Sequence, residues 1–129
     1  MSDDIKQAFW KALDASPYVM VGMTGEREHH IPMNAQLDKE ANSAWWFFTA
    51  TDNRLAAGGP AMAQFAAKGH DLFACISGTL RREESREVLD KLWNNSVAAW
   101  YPGGKDDPKL VLLRFDLEDA EIWTADPGI

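Results

Sequence analysis

Apolar positions follow two periods along this chain, and the change from one to the other marks out its elements. Ile5, Ala8, Phe9, Ala12 and Leu13 recur at helical spacing and predict a helix over residues 2–15. Ser2 stands where a cap belongs, Asp3 and Asp4 suit the positive helix start, and Pro17 ends the element. Residues 18–24 are rich in β-formers, Gly25 offers a turn, and residues 29–37 resume an extended pattern, which together predict an antiparallel hairpin. Residues 38–43 are polar and turn-like. Residues 44–50 form a third strand with apolar side chains on both faces, as a barrel wall or an interface requires.

The segment 52–57 is compatible with one helical turn before Gly58, Gly59 and Pro60. Strands over 61–67 and 72–82 then flank the Lys68-Gly69-His70-Asp71 turn as a second hairpin. From Glu83 the period lengthens: Val88, Leu89, Leu92, Trp93, Val97 and Trp100 share a helical face with room for a bend at Asn94 and Asn95. Residues 110–117 alternate, with Val111, Leu113, Phe115 and Leu117 facing one way, and residues 120–124 close the chain. Six or seven strands and two main helices, without regular strand–helix alternation, predict a mainly β fold: a small antiparallel barrel with flanking helices.

At 129 residues the chain fits a single domain spanning residues 1–129, large enough for a real core. Thirteen basic against twenty acidic residues give a net charge of -7, which repels nucleic-acid backbones and anionic membranes. The longest apolar run, residues 44–48, is far shorter than the roughly 18 residues of a membrane helix. One cysteine, Cys75, precludes an internal disulfide, and the acidic start lacks the features of a secretion signal, so a cytoplasmic location is expected. Cys75 reads as a buried, inert thiol.

The stretch AWWFFTATDNR, residues 44–54, concentrates the candidate chemistry. Its aromatics could support a planar ring, and Thr49, Thr51, Asn53 and Arg54 could hold a phosphate through hydroxyls, amides and a guanidinium. The same residues also fit an ordinary strand end with a solvated arginine. Six tryptophans exceed what one small core hides, which favours an aromatic homodimer surface. His29 and His30 diverge as strand neighbours and His70 lies in a turn, so no metal site is expected. Phosphate-loop, nucleophile-elbow and zinc-protease motifs do not occur.

Three motifs carry a resemblance that covers nearly the whole chain: Ile31-Pro32-Met33, Trp46-Phe47-Phe48-Thr49, and the run WYPGGKDDPKLVLL over residues 100–113. In these the chain resembles the FMN-binding split-barrel proteins related to pyridoxamine 5'-phosphate oxidase, on the branch of general stress protein 26. The resemblance implies a six-stranded antiparallel split barrel, a homodimer, and FMN in a groove at the subunit interface. It implies that His30, Ile31, Pro32, Met33, Phe47, Phe48 and Thr49 line the flavin, largely through backbone groups. Thr51, Asn53 and Arg54 would approach the phosphate, and Trp100 and Trp123 would come from the partner chain. Such proteins often carry an arginine directly before Pro-Met, where this chain has Ile31. The activity implied is that of a flavin-dependent oxidoreductase acting on a small molecule, with no catalytic side chain named. The other reading is a non-catalytic, stress-related protein that binds a flavin or another ligand.

Overall fold

The computed structural model describes residues 3–125. Its elements are α1 (Asp3–Ala15), β1 (Tyr18–Met23), β2 (Ile31–Asn34), β3 (Ala44–Ala50), β4 (Gly59–Ala66), β5 (Leu72–Arg82), α2 (Arg86–Leu92), α3 (Asn95–Ala98), a 3₁₀ turn (Gly104–Asp106) and β6 (Leu110–Thr124). The six strands form one antiparallel sheet in the order β2-β1-β4-β5-β6-β3. The sheet curls until its edge strands almost meet, giving the split barrel that the resemblance implies. Ser2, the expected cap of α1, lies outside the described residues. No helix among them is long and apolar enough to cross a membrane.

The two-faced β3 has two coverings. Trp45 and Phe47 point into the barrel, where they meet Phe115 of β6 and Phe9 and Leu13 of α1, which plugs one side of the core. Ala44, Trp46 and Phe48 point outward beneath Val88, Leu89 and Leu92 of α2. Burying an aromatic side chain of this kind contributes about 1.5–3 kcal/mol, so both faces of β3 have reason to stay covered.

Three expectations change. The last two predicted strands are one continuous β6, which passes Glu118 as a bulge where the β5–β6 register slips between Ser77 and Gly78. The late helix is two: α2 is capped by Ser85, whose Oγ accepts from Val88 N–H (3.3 Å), and Asn94 restarts the chain by accepting from Val97 N–H (3.1 Å). Residues 52–57 form consecutive hydrogen-bonded turns instead of a helical turn, because Asn53 Oδ1 takes the Leu55 N–H (2.8 Å) in an Asx turn.

Candidate functional site

The seam between β2 and β3 is where the barrel stays open. Its two edges touch at one pair: Gln36 N–H donates to the Trp46 carbonyl (2.7 Å) and Trp46 N–H to the Gln36 carbonyl (3.0 Å). In an antiparallel ladder, alternate residues aim their backbone groups at alternate neighbours. Ala35 N–H donates away from the seam to Pro17 (2.7 Å), and Thr51 N–H donates to Lys109 (3.0 Å). Pro32 and Asn34 of β2 and Phe48 of β3 therefore face the seam. Among the described residues their seam-facing groups have no backbone partner. Such groups must be satisfied by water or by something bound.

The other end of the seam is tied by Arg54. Its Nη1 donates to the His29 carbonyl (2.8 Å) and pairs with Glu28 (3.2 Å), linking the turn after β3 to the loop before β2. The opening is thus framed by a backbone pair at one end and an arginine at the other.

Over this seam lies a groove of about 820 Å³. Its floor is Asn34, Gln36, Phe48 and Thr49, and its far wall is Val97, Trp100 and Tyr101 from α3 and the strap that follows. Val97 is the buried anchor of α3. The strap is fastened to α2 by ion pairs from Arg86 to Asp106 (2.7 Å) and from Lys105 to Asp90 (2.9 Å). Asp107 closes it by accepting N–H bonds from Gly103 (3.0 Å) and Lys109 (2.9 Å), which hold its carboxyl below the usual aspartate range. Burial, with Asp107 and Asp52 nearby, pushes the Tyr101 phenol up. Phe48 meets Trp93 edge to face (6.0 Å), so the floor aromatic is itself held in place.

Phe48, Thr49 and Trp100 meet in this groove on one chain; Trp100, for which the resemblance implied a partner origin, is 81% exposed at the rim. Ile31 and Met33 pack half-buried against the core, while Pro32 is exposed. Phe47 is wholly inside the barrel. His30 lies over Gly22 on the outer sheet face, its Nδ1 donating to Gln64 Oε1 (2.7 Å). Thr51, Asn53 and Arg54 sit together in the turn at the end of the seam. Trp123 is near the far end of β6, paired with Phe73 and 53% exposed. Cys75 is half-buried, not buried, with its Sγ 3.3 Å from Met62 Sδ.

Sequence reasoning assigned no role to Asn34, Gln36, Tyr101 or Lys109, all of which line the groove. For Asn34 and Gln36 a signal existed: two amides alternate with the inward Met33 and Ala35, the pattern of a strand with one polar face. Lys109 lies inside the longest family motif, yet only the fold reveals that its carbonyl accepts the Thr51 N–H beyond the end of the β3–β6 ladder.

The sequence matches the family described as pyridoxamine 5'-phosphate oxidase like over residues 4–128. A general stress family protein of Xanthomonas campestris pv. campestris is 45% identical, with 99% of this chain and 93% of that one covered and a TM-score of 0.85. The general stress FMN/FAD binding protein of Xanthomonas citri is 44% identical over 99% and 94% of the two chains, with a TM-score of 0.90. General stress protein 26 of Bacillus subtilis is 34% identical over 55 residues, which span 43% of this chain and 39% of that protein. With a family match along nearly its whole length and the split barrel in place, the chain belongs to the pyridoxamine 5'-phosphate oxidase-like family, on its general stress protein branch.

Proposed function

We propose that this protein binds FMN in the seam groove, as a homodimer, and serves as a flavin-dependent oxidoreductase for a small molecule. The observation that carries this reading is the seam itself: unpaired backbone donors and acceptors on two strand edges, bordered by Phe48 and Trp100, suit a flat heterocycle with polar edges. The amides of Asn34 and Gln36 add donors and acceptors on the same floor. The Xanthomonas citri relative, an FMN/FAD binding protein at 44% identity, supports a flavin as the occupant.

Bound there, the flavin would supply hydride and electron transfer. The chain's own part is to bind, orient and shield. Phe48 and Trp100 offer ring faces for stacking, the seam backbone fixes the heterocycle's edge, and the strap limits water. A dimer has support in the outer face of the barrel, where Tyr18, Met20, Phe73 and Trp123 are exposed.

Purification, a visible spectrum and titration of FMN into the apo protein test the reading. Flavin absorbance or saturable binding is expected; no absorbance and no binding at tens of micromolar FMN would sink it. Bound FMN that neither NADH nor NADPH nor another reductant can turn over would replace the oxidoreductase with a non-catalytic flavin carrier.

A further inference from the structure

The far wall of the groove has a chemistry of its own. Val97, Trp100 and Tyr101 build it, with Asn94, Ser96 and Pro102 beside them, and none of these side chains is charged. Asn94 spends its amide at both ends, accepting from Val97 N–H (3.1 Å) and donating to the Leu92 carbonyl (3.2 Å). Ser96 is exposed at the rim. Tyr101 differs from both: it is half-buried, and among the described residues its hydroxyl makes no hydrogen bond. An unspent donor thus stands next to the exposed Trp100 indole on the same wall.

The neighbours of that hydroxyl locate it. Burial raises its pKa most, followed by Asp107 on the strap and Asp52 in the turn after β3. Carboxylates from the strap and from the β3 end both act on one phenol, which sets its oxygen between those two segments. It stays protonated and can donate. The same carboxylates disfavour an anion, because Lys109, the groove's lysine, lies near enough to Asp107 to lower its pKa and so has part of its own charge offset. An acceptor held here is therefore uncharged. At about 820 Å³ the groove is near the top of the roughly 300–1,000 Å³ range of small-molecule sites, so a heterocycle on the floor leaves room against this wall.

We propose that the Trp100–Tyr101 wall binds an uncharged, planar carbonyl compound of the quinone class, its ring beside the Trp100 indole and its carbonyl oxygen accepting from the Tyr101 hydroxyl. A quinone combines what the wall selects: a flat ring, no charge and a carbonyl acceptor. The assignment rests on the flavin reading above, which fills the floor, and deepens it by naming the class of small molecule that shares the groove.

The test is calorimetric binding to the FMN-loaded, oxidised protein, in which no electrons can pass to the probe. Duroquinone is the probe, since its fully methylated ring leaves no position for thiol addition at Cys75. Durene offers the same ring without carbonyls, and pyridoxamine 5'-phosphate is the anionic comparison. Duroquinone is expected to bind more tightly than pyridoxamine 5'-phosphate and to leave FMN in place. Tyr101→Phe should weaken duroquinone by roughly twofold to tenfold, the loss of one neutral hydrogen bond, and leave durene and FMN unchanged. A merely structural role for Tyr101 would move durene as much. Trp100→Leu should weaken duroquinone and durene together. Unchanged duroquinone binding in Tyr101→Phe, a preference for pyridoxamine 5'-phosphate, or displacement of FMN by duroquinone overturns the assignment while the flavin reading stands. A protein that takes up no FMN removes both.

Discussion

Two close approaches show how single residues set this barrel. At Gly78, where the β5–β6 register slips, a Cβ would run into the Asp116 carbonyl and lie 2.8 Å from the Phe115 ring. Gly78→Ala therefore forces either the bulge or a core aromatic to move, and overpacking of that kind costs about 1–3 kcal/mol. Thermal unfolding should show a drop of several degrees, whereas Ser77→Ala next to it should stay within roughly 0.5 kcal/mol of the parent. Equal effects would mean the bulge is not rigid. Gly22 has a similar role, leaving room for His30 to lie over β1 and reach Gln64. Neither role was readable from the chain, because each depends on what another strand brings opposite. For the same reason the chain showed Arg54 only as a cation after two threonines, and the fold adds Glu28 and the His29 carbonyl beside it.

At the scale of elements, periodicity located what local chemistry could cap or pack. The bounds of β3 and β5 agree with the pattern residue for residue, since turns bracket both. It failed where tertiary contacts join or divide segments: β6 runs on through its bulge because β5 is long enough to pair with it from Leu113 to Thr124, and Asn94 splits the late helix by capping α3. The strap after α3 lacks a regular period and depends on side-chain bonds, so its stability should depend on pH. Asp107 is held below the ordinary aspartate range by the Lys109 and Gly103 N–H groups. A depressed folded-state pKa adds stability above the unfolded value, and that contribution is lost as pH falls through the lowered one. The strap should accordingly loosen only below the usual aspartate range, near pH 4 and under. Hydrogen exchange at residues 100–109 followed against pH should show this, and Asp107→Asn should exchange faster at neutral pH with its acid-dependent step removed. An unchanged step in Asp107→Asn would assign it to another carboxylate.

At the scale of the whole molecule, the aromatic surplus resolves into two populations. Trp45 and Trp46 are buried and Trp10 and Trp93 are half-buried, whereas Trp100 and Trp123 remain outside. Trp100 belongs to the groove. Trp123 pairs with Phe73 on an outer face that also carries exposed Tyr18 and Met20, and that face has no such use within one chain. If it is the dimer surface, its association is driven by apolar burial against the repulsion of two chains that each carry -7. Two consequences have definite signs. Phe73→Glu should halve the mass measured by light scattering and leave the far-ultraviolet circular dichroism unchanged, because Phe73 lies outside the buried core. Raising the salt should tighten the dimer by screening the repulsion, while the same salt weakens the binding of FMN through its anionic phosphate. The two salt responses have opposite signs, so a titration in each can tell surface association from anion binding in one preparation. A dimer mass that survives Phe73→Glu, or a parent protein that is monomeric at every salt concentration, would take this face out of the assembly.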